Sequence, residues 1–150
     1  MQSFVSMRKV IFTSGGYELD DDPGRIDRDA VWEFLSTQAY WGKHRTRADF
    51  EAQLASAWRV VGAYETATGR QVGFARALSD GVDFGYLADV YILPGARAAG
   101  LGKELVATMI DRGPGAGFLW TLHTQDAHGL YRKYGFAEPD TRYMERPRRP

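Results

Sequence analysis

Residues able to move protons flank a glycine-marked turn in this chain. The turn lies within residues 89–104, Asp-Val-Tyr-Ile-Leu-Pro-Gly-Ala-Arg-Ala-Ala-Gly-Leu-Gly-Lys-Glu, an apolar run broken by Pro94 and continued by helix-favouring residues. A strand turning straight into a helix gathers the unpaired N–H groups of the first helical turn and the positive end of the helix dipole at one point. Such a point binds phosphate. Asp89 stands just before it, and His123, His128 and Tyr131 follow it. Histidine titrates near neutrality, and a carboxylate or a phenol can hold or release a proton when its surroundings are tuned. The two histidines read equally as solvated or structural residues. With no third ligand near them and no cysteine, they do not make a metal site.

Three phosphate-binding patterns compete for the turn. A nucleoside-triphosphate loop needs a glycine five residues before Gly102 and a Ser or Thr after Lys103, but Arg97 and Glu104 occupy those positions. A dinucleotide fingerprint needs a third glycine three residues after Gly102, where Leu105 stands, and an N-terminal βαβ unit. The third pattern, Arg-x-x-Gly-x-Gly, is met by Arg97, Gly100 and Gly102.

The elements that must hold this turn can be read on both sides of it. Asp27 is placed to cap a helix, with Ile26 and Val31 in staple positions and Val31, Phe34 and Leu35 at helical spacing. Thr46-Arg47-Ala48-Asp49 opens a second helix as a capping box, continuing through Phe50, Leu54, Ala57 and Trp58. Residues 59–65, 71–78 and 84–93 read as an antiparallel meander, with a turn at Thr66-Ala67-Thr68-Gly69. Residues 100–111 form a helix with Leu101, Leu105, Val106, Met109 and Ile110 on one face, and 118–123 a further strand. Ala127, Leu130, Tyr131 and Tyr134 share the face of a short helix stopped at Gly135-Phe136 by a Schellman motif. A last strand is expected at Tyr143–Glu145. The order gives an α/β (α+β) fold: one mixed sheet, an antiparallel meander followed by a right-handed βαβ crossover.

With 150 residues the chain suits one domain, 1–150, with 1–16 as an extension in which Lys9-Val10-Ile11-Phe12 reads as a short strand, a tag remnant or an upstream start, and 146–150 as a flexible tail. A formal net charge of +0 gives no global attraction to nucleic acid or acidic membranes. No apolar run reaches the ~20 residues of a membrane span, and no signal-peptide pattern opens the chain. A cytoplasmic location is expected.

Taken with the later motif Leu130-Tyr131-Arg132-Lys133-Tyr134-Gly135-Phe136 and the strand end Ile92-Leu93-Pro94, the Arg97–Gly102 turn resembles the GNAT superfamily of acyl-CoA-dependent N-acetyltransferases. The resemblance implies helices packed on both faces of the sheet and acetyl-CoA as co-substrate, with no metal. It implies that the backbone of Arg97, Ala98, Ala99, Gly100, Leu101 and Gly102 holds the pyrophosphate, with Arg97 and Lys103 adding charge. Ile92 and Leu93 would line the pantetheine, the Ile92 N–H lying near the thioester carbonyl. Thr124 stands where the family often has Asn, and would contact the cofactor or cap the following helix, with Asp126 as the alternative cap.

Tyr131 matches the family's tyrosine near the sulfur and is assigned as general acid. Asp89 is the candidate base, although Ala88 replaces the family's frequent first carboxylate. Binding of the substrate ammonium, action through water, and a structural role all stay open for Asp89. The acceptor lip falls on Tyr40-Trp41-Gly42-Lys43-His44-Arg45, where Trp41 also reads as a core plug. Expected partners are a small-molecule amine and a second copy of the chain, without nucleic acid or membrane. The alternative is a non-catalytic acyl-CoA-binding regulatory module on the same fold.

Overall fold

Local chemistry starts both N-terminal helices where the sequence places them. In a computed structural model that describes residues 10–42 and 44–149, Asp27 accepts the Ala30 N–H at 3.1 Å and begins α1 (Arg28–Thr37). Thr46 and Asp49 exchange reciprocal hydrogen bonds of 3.1 and 2.9 Å to begin α2 (Arg47–Ser56). Each bond satisfies a donor that a helix start leaves without a partner. α2 stops at Ser56, so Trp58 lies beyond the helix, leading into the sheet and packing on Phe118.

One six-stranded mixed sheet runs in chain order: β1 (Phe12–Ser14), β2 (Tyr17–Asp20), β3 (Arg59–Glu65), β4 (Gln71–Ser79), β5 (Phe84–Ile92) and β6 (Leu119–Leu122). All neighbours are antiparallel except β5 and β6, which run parallel across the crossover helix α3 (Leu101–Ile110). The first hairpin was not expected. Gly15 and Gly16 both take positive φ, the conformation of a two-residue hairpin turn, and set β1 against β2. Residues 12–16 thus belong to the sheet. Residues 1–9, Lys43 and Pro150 lie outside the described residues. The strand expected at Tyr143–Glu145 is absent, and that segment is irregular.

Two apolar layers flank the sheet. On one face Val61, Ala75, Ala77, Leu87 and Ile92 pack under Leu105, Val106 and Met109 of α3 and Tyr131 of α4 (His128–Arg132). On the other, Phe34 and Leu35 of α1 and Phe50 and Leu54 of α2 cover Val60, Phe74 and Tyr91. Phe34 stacks on Tyr91 with centroids 3.9 Å apart. α4 ends as the sequence predicts, with the Phe136 N–H on the Tyr131 carbonyl (3.3 Å) and the Gly135 N–H on that of Arg132 (3.1 Å). Among the described residues no helix is long and apolar enough to cross a membrane.

A bulge in β5 changes which of its residues face each layer. Phe74 pairs with Tyr91 but Arg76 pairs with Ala88, so three steps on β5 face two on β4. Asp89, at φ 57°, absorbs the extra residue. Leu87 therefore points to the α3 layer while Asp89 and Tyr91 point to the α1–α2 layer.

Candidate active site

The sheet opens where the chemistry is expected. Parallel pairing of β5 with β6 ends at Leu87↔Leu122, yet β5 continues to Ile92. Beyond Leu87, among the described residues, no strand pairs with that side of β5. The Leu93 N–H bonds to the Val72 carbonyl at 2.8 Å, so by ladder alternation the Ile92 N–H points away from β4, into the opening. The Ile92 carbonyl points the same way and accepts the Arg97 Nε–H at 2.9 Å. Arg97 thus folds back on the strand end.

A 3-10 turn, Pro94–Ala99, joins β5 to α3. Gly100 ends it at φ 70°, a left-handed conformation that favours glycine. Among the described residues no side chain caps α3, leaving its first N–H groups open. Gly102 is not demanded by packing: a Cβ there would meet nothing nearer than Ile92 Cγ1 at 3.9 Å. Ala98, Ala99 and Lys103 are exposed around this start, whereas Leu101 is buried in the α3 layer and Leu93 packs at the margin of both layers.

Tyr131 is buried on α4 with its ring edge-on to Phe136, and among the described residues its hydroxyl makes no hydrogen bond. Burial pushes its pKa up to about 12, aided by Asp126 and Tyr40, so it keeps its proton at neutral pH. The Thr124 hydroxyl accepts the Ala127 N–H at 3.1 Å, serving the turn into α4 in place of Asp126. The Tyr40 hydroxyl accepts the Gln125 N–H at 3.1 Å, tying the lip between α1 and α2 to the loop after β6.

Asp89 is not a free carboxylate. Its Oδ1 accepts from Trp41 Nε1 and Arg45 Nη2, both at 2.9 Å, and its Oδ2 from Arg45 Nη1 at 2.8 Å and Arg76 Nε at 2.9 Å. The side chains of Asp89, Arg45 and Arg76 are 3, 4 and 9% exposed. Burial pushes the Asp89 pKa up, but the hydrogen bonds and charge of Arg45 and Arg76 outweigh it and hold the carboxyl below its ordinary range. Two guanidiniums on one carboxylate leave an excess positive charge at the floor of the α1–α2 side.

Sequence reasoning missed this convergence. Arg45 was legible only as part of a basic lip, and Arg76 not at all. The available signal was an arginine within the apolar run 72–78, since such a residue needs a buried partner. His128 faces outward, with Nε2 3.0 Å from the Thr124 carbonyl. His123, one residue beyond the last β5–β6 pair, lies between the Tyr86 hydroxyl and the Glu145 carboxylate. Among the described residues no three His, Asp or Glu side chains converge on a metal-binding point.

Comparison with known proteins bears on this opened sheet. Residues 28–136 match the model of the acetyltransferase (GNAT) family. The chain belongs to the GNAT acetyltransferase family. A GNAT-family protein from Xanthomonas campestris pv. campestris is 33% identical to it, with a TM-score of 0.81 over 90% of this chain and 95% of that one. The candidate acetyltransferase FG08082 of Gibberella zeae is 36% identical over 83 residues, which is 55% of this chain and 45% of that protein. The chain spans less than half the length of the curated relatives it matches. N-acetylglutamate synthase from Neisseria gonorrhoeae, solved with coenzyme A and N-acetyl-glutamate, shares the fold at a TM-score of 0.62 and 18% identity, over 81% of this chain and 28% of that one. The single mixed sheet with its helices is thus that of a GNAT domain.

Proposed function

We propose that this GNAT domain, residues 1–150, transfers an acetyl group from acetyl-CoA directly to the amine of a small molecule. The observation that carries the reading is the parting of β5 from β6, which leaves the Ile92 N–H facing the opening beside an uncapped helix start. The residues present fit an acyl-CoA: open donors at Leu101, Gly102 and Lys103 suit a pyrophosphate, and the bare Cα of Gly102 lets it approach. Lys103 supplies a cation beside it, and the backbone of Arg97, Ala98, Ala99 and Gly100 forms the rim. The strand end at Ile92 and Leu93 lines the arm, while Thr124 shapes the loop opposite.

Acetyl-CoA supplies a thioester carbonyl activated toward an amine nucleophile. The Ile92 N–H is a preorganised donor for the negative charge that develops on the carbonyl oxygen. Tyr131, protonated at neutral pH, donates to the departing sulfur. Asp89 acts through Arg45, Arg76 and Trp41, orienting the acceptor floor rather than accepting a proton, because both its oxygens are occupied.

Calorimetry with acetyl-CoA, CoA and NAD tests the cofactor first. Binding of the first two but not of NAD is expected, and no binding of acetyl-CoA removes the reading. Thiol release is then followed across arylalkylamines, amino sugars and α-amino acids. Tight acetyl-CoA binding with no release from any of them refutes transfer to a small amine.

A further inference from the structure

The proposed transfer needs a group that takes the proton of the acceptor amine, and Asp89 cannot be that group in this arrangement. At the floor of the strand opening lies another candidate. Tyr86 of β5 pairs with Thr121 of β6 within the last stretch where the two strands still meet. Its hydroxyl is 2.5 Å from Nδ1 of His123, and Nε2 of His123 is 2.6 Å from Oε2 of Glu145. The Tyr143 hydroxyl adds a bond of 3.3 Å to the same carboxylate oxygen. An ionised carboxylate only accepts, so Nε2 carries the hydrogen. In the neutral ring Nδ1 is then the acceptor, and the Tyr86 O–H donates to it. Both ring nitrogens are engaged, while the His123 and Glu145 side chains, 58 and 52% exposed, keep the far end of the chain open to solvent.

We propose that Tyr86, His123 and Glu145 form the proton-accepting relay of this acetyltransferase, with the Tyr86 hydroxyl receiving the acceptor amine's proton through water, since five ladder steps, about 16 Å, separate Tyr86 from Ile92 along the strand. The inference rests on the transfer reading above. The amine proton passes through bridging water to Tyr86 Oη as the hydroxyl proton of Tyr86 passes to His123 Nδ1. The resulting imidazolium is paired with Glu145 and later releases its proton to solvent. The amine lone pair forms the new bond to the acyl carbon, the carbon–sulfur bond breaks, and sulfur takes the Tyr131 proton, which solvent replaces.

Surrounding charges favour this order of events. Burial raises the Tyr86 pKa, with the nearby Tyr143, Glu145 and Asp89 also raising it against Arg76, so Tyr86 relays a proton rather than standing as a phenolate. The His123 hydrogen bond lowers the Glu145 pKa and keeps that carboxylate ionised. Of the carboxylates near the relay, Asp89 is held low by Arg45 and Arg76, and Glu145 by His123.

Two measurements on the full chain test the relay. Imidazole nitrogen NMR, assigned by His123→Gln among the three histidines, is expected to show neutral His123 protonated at Nε2, with its Nδ1 resonance shifted by Tyr86→Phe. The opposite tautomer overturns the relay without any acceptor being known. Thiol release with the fastest amine of the panel is expected to fall by about 10²–10⁴ in kcat for Tyr86→Phe and His123→Gln, with acetyl-CoA affinity unchanged. Glu145→Gln, which keeps the side chain's shape, is expected to lower the rate with the fold intact. Wild-type turnover in Tyr86→Phe and His123→Gln overturns the relay, whereas absent acetyl-CoA binding in the wild type overturns the transfer reading itself.

Discussion

Asp89→Asn is the sharpest test of how the acceptor side is held together. The substitution keeps the size of the side chain and suits the backbone, because Asn, unlike most residues, tolerates the positive φ of 57° found here. What changes is charge and hydrogen bonding. Four donors now converge on the carboxylate, from Trp41, Arg45 twice and Arg76, and all three charged side chains are less than a tenth exposed. An amide neutralises the only anion and turns its own N–H groups toward two guanidiniums. Removing one partner of a buried ionic cluster costs about 3–5 kcal/mol. Against a total stability of about 5–15 kcal/mol that is a large fraction. At about 2–4 °C per kcal/mol for this chain length, the melting temperature should drop by about 6–20 °C.

Urea denaturation followed by the near-UV signal of the tryptophans measures it, with Asp89→Asn/Arg45→Gln as a control in which one stranded cation is also removed. The double variant should recover part of the loss. Because the Asp89 pKa is lower in the folded state, its share of stability is complete above the ordinary carboxylate range near 4. That share is lost as pH falls through the lower folded value. Wild type should therefore lose stability over that acid window and Asp89→Asn should lose less. A stability change below about 1 kcal/mol, the range of an exposed ion pair, would refute the reasoning.

Gly102→Ala should leave stability unchanged or raise it by about 0.5–1 kcal/mol, since the helix gains alanine and the added carbon meets nothing close. Its acetyl-CoA affinity by calorimetry should nonetheless fall, and unchanged affinity would move the pyrophosphate elsewhere. Gly100→Ala should cost about 1–2 kcal/mol in a denaturation curve, because φ 70° must be held by a residue with a Cβ. Tyr131→Phe should lower kcat by about 10²–10⁴ in thiol release with acetyl-CoA affinity intact, and equal turnover would remove it as the acid. Arg59→Met should cost about 2–3 kcal/mol, because the buried guanidinium bonds the carbonyls of Thr108, Met109 and Arg112 at 2.9, 2.9 and 3.1 Å. Hydrogen exchange should show the last turn of α3 opening first, and unchanged protection there would count against that role.

What the sequence disclosed was what local chemistry decides. The caps at Asp27 and Thr46, the glycine stop after α4 and the uncapped start at Gly100 each depend on residues within one helical turn of each other. The hairpin at Gly15-Gly16 was also legible in principle, because adjacent glycines mark the favoured two-residue turn, but its strands of three and four residues are too short for alternation to show. The cluster around Asp89 was not legible. Its partners lie 48, 44 and 13 residues away along the chain, and only the folded sheet brings them together. The segment 143–145 makes no strand pairing among the described residues. It instead lays Glu145 against His123.

The bulge in β5 has a meaning for how this domain could vary. Along a regular ladder, every second residue meets the same neighbours, so residues 87 and 89 would share a face. The extra residue breaks that parity once, between the two. Loss of Val90 would restore a regular ladder and leave Tyr91 and Ile92 on their present sides. It would also deliver Asp89 into the apolar layer beneath α3, away from both arginines. One residue of slack in a single strand thus decides whether the carboxylate organises a pocket or disrupts a core, so insertions and deletions at residues 88–90 should be far less tolerated than in the turns at either end.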